Sequence, residues 1–187
     1  MHGPASSGWL LVALCVMTGA VCLARMRSGP RRQRGAAGGE ALMSFGMAAM
    51  AVPAVVFTPP SWVWAGYAVV FGAAGVHALW SARAGTAPHA AHRLHHLVGA
   101  GAMVYMSVVM AAGPAHAHGR GGSGVPLLTG ALLLYFAGYV LLSGVRLVPV
   151  AAVAGSGAPG ALGDRPEVVR ACRLSMGIAM VAMLLTL

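Results

Sequence analysis

Lysine and asparagine are missing from this sequence, isoleucine occurs once, at Ile178, and only 3 acidic residues stand against 12 basic ones, all arginine. Charged residues make up 8% of the 187-residue chain and hydrophobic residues 58%. So few charges cannot coat a water-soluble globule of this length, which excludes a soluble domain and turns the apolar surface toward lipid. Cysteine is scarce as well. Cys15, Cys22 and Cys172 lie within or beside apolar segments, show no CxxC spacing and form no disulfide framework. They read as small hydrophobes of a membrane interior. The groups needed for nucleophilic catalysis are also lacking. No Ser, His and Asp fall at one depth and no glycine loop could cradle a phosphate, so the chain is not read as an enzyme.

What is present is a set of six continuous apolar stretches, near 8–24, 40–57, 62–82, 95–112, 125–145 and 170–187. Each approaches the ~20 residues that a bilayer demands of a crossing helix. A helix satisfies its own backbone in lipid, and these runs lack the alternation of barrel strands. The breaks between them are SGPRRQRGAAGG, TPPS, ARAGTAPHAAHR, GPAHAHGRGGSG and AAVAGSGAPGALGDRPE. The expected fold class is all-α: one integral membrane domain over 1–187, with six transmembrane helices.

The arginines orient it. Met1 to Ser7 carry no positive charge, while Arg25, Arg27, Arg31, Arg32 and Arg34 follow the first stretch. A helix inserted with its N-terminus outside has this pattern; a signal peptide has the reverse. Counting onward through six helices, Arg83, Arg93, Arg146, Arg165, Arg170 and Arg173 also fall in the cytoplasm, and only Arg120 falls outside. The expectation is a multi-pass protein of the inner (plasma) membrane with both termini outside. Its net charge of +9 then serves topology and contacts with anionic lipid headgroups, not nucleic acid.

The absence of Lys and Asn and the abundance of Arg, Ala and Gly suggest a GC-rich coding sequence, which should deplete methionine, yet 12 are present. Many of them repeat. EALMSFGMAAM (40–50), HLVGAGAMVYM (96–106) and RLSMGIAMVAM (173–183) align without gaps. Glu40, His96 or Arg173 leads each copy. Met follows at +7 and +10 in all three, as Met47 and Met50, Met103 and Met106, and Met180 and Met183. Met43 and Met176 occupy +3 in the outer copies, where Gly99 stands in the middle one, and Met110 extends that middle stripe. The copies begin alternate helices, as if three helical hairpins were stacked; internal repeats of this kind are common in transporters.

Positions 0, +3, +7 and +10 fall within roughly 80° of a helix surface, so each helix presents one narrow face of thioethers under a polar head. Three converging faces would stack Met47, Met103 and Met180 in one layer and Met50, Met106 and Met183 in the next, about 4.5 Å further along. Thioethers are soft, neutral ligands that suit Cu(I), and stacked weak sites suit conduction. The arrangement is similar, as a site only, to the methionine triads of high-affinity copper uptake transporters. The alternative is packing, since Met is a flexible gap-filler between membrane helices.

Other groups extend the pattern. His77 should lie at the depth of Gly99 and could complete that layer as an imidazole ligand. His92, His95 and His96 share one side of the mouth of the fourth helix, with His89 nearby, and together with Glu40 could admit the ion. Glu40 could instead cap its helix or pair with Arg173. His116 and His118 offer a short chelating motif in an outer loop, or simply solvated side chains.

At these motifs the chain resembles an actinobacterial family of six-helix membrane proteins classed as a domain of unknown function. That resemblance implies a His-x-x-Met-x-x-x-Met-x-x-Met theme on alternate helices. HHLVGAGAMVYM fits it through His96, Met103 and Met106, whereas Glu40 and Arg173 replace the leading His in the other copies. The family lends no settled activity. Three functions remain open at this point: a Cu(I) binder or transporter, a b-type haem protein using His77 with His95 or His96, and a non-catalytic membrane scaffold.

Overall fold

The computed structural model describes residues 4–28, 31–53, 56, 58–83, 90–112, 125–151 and 166–186. The described chain is helical: α1 Pro4–Ser28, α2 Arg31–Met50, α3 Ser61–Arg83, α4 Ala90–Ala112, α5 Pro126–Ala151 and α6 Pro166–Leu184. No strand occurs among the described residues. Each helix overlaps one of the six apolar stretches. Their starts follow local chemistry. Pro4, Pro126 and Pro166 stand at the first helical position, where a missing N–H costs nothing and φ is already set for a helix. Glu167 adds a favourable negative charge to the first turn of α6.

The largest departure from expectation is α2, which begins at Arg31 rather than at Glu40 and ends at Met50 rather than at Phe57. SGPRRQRGAAGG was expected to be a loop, yet most of it is helix. Arg, Gln and Ala favour helix, and each Gly costs only about 1 kcal/mol against Ala, which tertiary contacts can offset. Pro53 explains the early stop, because proline cannot donate to the helix and restricts the residue before it. Among the described residues four helical segments are long and apolar enough to cross a membrane: Ser6–Ser28, Ser61–Trp80, Leu94–Ala112 and Pro126–Val145. α2 and α6 are not among them.

The chain divides into two compact units, one of Met1–Val56 with Gly130–Thr186 and one of Phe57–Thr129. In the first, α1 lies antiparallel along α2, and α6 packs against α1 and touches α2. Small residues permit the approach: a Cβ at Gly19 would meet the Phe45 ring at 3.0 Å, and one at Gly38 would meet the Met26 sulfur at 3.3 Å. α6 approaches α5 closely as well, since a Cβ at Gly177 would lie 2.8 Å from Val140 Cγ2. The sixth helix nonetheless packs more along α1 than along α5, so the expected third hairpin is subordinate to an α1–α2–α6 cluster.

In the second unit α3 packs along α4. The Tyr105 hydroxyl of α4 bonds Thr129 Oγ1 at 2.7 Å. Trp62, Val69, Val76 and Trp80 of α3 are exposed, as a lipid-facing surface would be. Buried hydroxyls satisfy themselves on their own helices. Ser44 Oγ donates to Glu40 O at 2.9 Å and Ser107 Oγ to Met103 O at 2.7 Å. Among the described residues no buried side-chain N or O lacks a partner.

Candidate functional site

Three charges meet inside the first unit. Glu40 stands in the interior of α2 and is fully buried, so the helix-cap role does not apply; a cap sits at the first turn, and α2 starts at Arg31. Both carboxylate oxygens are occupied. Arg25 Nη1 of α1 donates to Oε2 at 2.9 Å, and Arg173 Nε of α6 donates to Oε1 at 3.0 Å. Arg25 is itself buried, with 7% of its side chain exposed, against 29% for Arg173. A carboxylate cannot stay charged in an apolar interior without such partners. One acid therefore ties three helices together.

Beside this network lie two thiols. Cys22 is one helical turn before Arg25 on α1 and donates to Glu40 Oε2 at 3.8 Å. Cys172 immediately precedes Arg173 on α6, and with Cys22 and Ala41 it forms a buried cluster bordered by Val21 and Val168. Cys15 is buried further along α1, and all three cysteines are free thiols.

The methionine stripes start at the same place. Met47 and Met50 of α2 and Met176, Met180 and Met183 of α6 are buried, and Met43 is half-buried. Glu40 and Arg173, the zero positions of these two copies, are bonded to each other. In the second unit Met103 and Met106 of α4 are fully buried and Met110 is half-buried. The stripe therefore coincides with the buried face of its helix in all three copies.

The histidines are placed differently. His77 is exposed on α3, and His95 and His96 are half-buried on α4. His92 belongs to α4, its side chain lying outside the described residues, as do His89, His116 and His118 altogether. Among the described residues no three His, Cys, Asp or Glu side chains are grouped to hold a metal ion. The structure thus joins Glu40 to Arg173, a pairing the sequence offered as one alternative. It also brings in Arg25, Cys22 and Cys172, which the sequence reading had set aside as a topology signal and as small hydrophobes. A signal existed: Cys22 and Arg25 share a face of α1 at i, i+3, and Cys172 adjoins the head of the third copy.

The family model described as Domain of unknown function (DUF5134) matches residues 32–187. No curated protein and no solved structure matches the chain.

Proposed function

The chain belongs to the family described as Domain of unknown function (DUF5134), and from that footing we propose that it binds and passes a soft metal ion, Cu(I), through methionines of α2, α4 and α6. The observation that carries this reading is the pair of joined stripe heads. Glu40 and Arg173 are bonded at 3.0 Å, and the +7 and +10 thioethers beyond each are buried. When two helices run the same way, a bond between their zero positions sets Met47 level with Met180 and Met50 level with Met183. Neutral sulfur holds a soft ion without trapping it, which conduction requires. α4 repeats the spacing with Met103 and Met106. His77 is exposed, so the proposal rests on the thioethers.

In this reading the protein is a binding or transport protein of the plasma membrane, not an enzyme. Six helices cross, with both termini outside and the arginine-bearing ends among anionic headgroups of the cytoplasmic face. α2 and α6 can cross because their charges neutralise one another at Glu40. Reporter fusions at Arg32, Ala87 and Gly157 should report cytoplasm, and fusions at Gly121 and Leu187 the exterior. A cytoplasmic signal at Leu187 defeats the six-helix count.

The metal is tested by Cu(I) stoichiometry in purified protein. Changing Met47, Met103 and Met180 together to Leu conserves volume and should cost below about 1.5 kcal/mol per site, while removing one sulfur per stripe. The triple variant should lose thioether-bound Cu(I) at every pH near neutrality, and Met17→Leu, on an exposed position outside the stripes, should lose none. Equal thioether-bound copper in triple variant and wild type makes the methionines packing.

A further inference from the structure

The methionine reading leaves the buried thiols of Cys22 and Cys172 unused. They come from different helices and share a buried core cluster with Ala41. A carboxylate and two guanidinium groups adjoin them. Cys22 donates to Glu40 Oε2 at 3.8 Å, Arg25 holds the same oxygen, and Arg173 holds the other. On α6, Cys172, Met176, Met180 and Met183 follow at intervals of 4, 4 and 3 residues, which puts them on one helix face. All four are buried. The thioether stripe of α6 therefore begins with a thiol.

We propose that Cys22 and Cys172 form a two-thiolate site for Cu(I) at the charged end of this stripe. The choice of copper rests on the soft-ion reading above; the thiol pair does not depend on the methionine layers. Thiolate is a soft ligand that selects Cu(I), and this d10 ion is content with two donors in a line. Zinc needs four ligands, and the described residues supply no group of three His, Cys, Asp or Glu for a metal. On binding, two S–H bonds break and two Cu–S bonds form. Copper stays Cu(I), and two protons go to water, Glu40 Oε2 being the nearest acceptor for that of Cys22.

Charge supports the same site. One Cu(I) with two thiolates carries a single negative charge. Arg25 and Arg173 with Glu40 carry a single positive one. The loaded cluster is therefore neutral as a whole, the condition under which charges are tolerated in an apolar interior.

The test uses full-length protein in detergent, kept reduced, and loaded with Cu(I) against a chromophoric Cu(I) chelator strong enough to strip thioether sites. Wild type should retain one tightly held copper, and its affinity should fall by about 100-fold per pH unit on acidification, since two protons compete with the metal. Cys22→Ser and Cys172→Ser should each abolish this retention, and Cys15→Ala should leave it. The Met47, Met103 and Met180 triple Leu variant should also keep it, so loss of the methionine sites and loss of the thiolate site are read separately. X-ray absorption of the wild type with one copper provides a measurement independent of any variant's folding, and should report two short Cu–S bonds. Unchanged tight retention in either Ser variant, no tight copper in wild type, or a first shell of three or more long thioether bonds overturns the proposal.

Discussion

In the first unit the stripes of α2 and α6 begin at Glu40 and Arg173, charges bonded to each other and to Arg25 inside the protein. In the second unit the stripe of α4 begins at His96, a half-buried side chain that needs no permanent counter-charge. The methionine spacing is shared, but the means of anchoring it differ. Buried opposite charges commit the first unit to one arrangement, because separating them strands ions in an apolar medium. The second unit packs α3 along α4 through a largely apolar face, with the Tyr105–Thr129 hydroxyl pair beside it, and should tolerate more change. The difference teaches that a sequence repeat need not be an energetic repeat.

The largest break in that comparison should come from Glu40→Ala, which leaves Arg25 buried without its carboxylate. A cost of about 3–5 kcal/mol is expected for removing one partner of a buried pair, read as a large drop in thermal stability in detergent. His96→Ala should lower stability far less. Within the first unit Arg25→Gln should cost more than Arg173→Gln, because Arg173 keeps 29% of its side chain exposed and can hydrate, against 7% for Arg25. Equal effects for Glu40→Ala and His96→Ala would erase the distinction between the two units.

A smaller effect is expected where helices nearly touch. Gly177→Val puts a side chain where Cβ alone would lie 2.8 Å from Val140 Cγ2, and overpacking of this kind costs about 1–3 kcal/mol. In the second unit Gly75→Ala places its methyl 3.5 Å from Ala100 Cβ, an ordinary contact. It should stabilise α3 by about 0.5–1 kcal/mol, since Ala loses less backbone entropy than Gly. Paired melting curves for the two variants, shifted in opposite directions, sharpen the contrast; shifts of the same sign remove it.

The smallest effect concerns Tyr105→Phe, which removes the 2.7 Å bond to Thr129 Oγ1. A loss of about 0.5–1.5 kcal/mol is expected, the net worth of one ordinary hydrogen bond. Hydrogen exchange at the start of α5 should quicken in this variant. Unchanged exchange there would show that the second unit does not depend on this hydroxyl pair.

Much of the fold was legible because lipid imposes a length and a polarity on every crossing segment. Each of the six apolar stretches overlaps a helix among the described residues, and proline at 4, 126 and 166 marks three of the starts. The beginning of α2 was not legible. Its arginines and glycines resemble a loop when read locally, whereas in the fold α1 lies close beside them, the Met26 sulfur 3.3 Å from where a Cβ of Gly38 would be. Among site residues, the stripe positions were legible from spacing alone, and burial of Met47, Met50, Met103, Met106, Met180 and Met183 agrees with that spacing. Arg25 was hidden because an arginine after an apolar run serves topology whether or not it also pairs.

The sequence by itself determined the all-helical class, the apolar segments long enough to cross a membrane and the buried face of each methionine-bearing helix, because hydrophobic length and the 3.6-residue period are properties of a single segment. Only the tertiary structure decided that Glu40 meets Arg25 and Arg173, and that Cys22 of α1 faces Cys172 of α6. These residues are separated by 15, 133 and 150 positions along the chain. Such pairings depend on which helix packs beside which, and in α1, α2 and α6 that choice was made by small residues allowing contact and by buried charges that had to find one another.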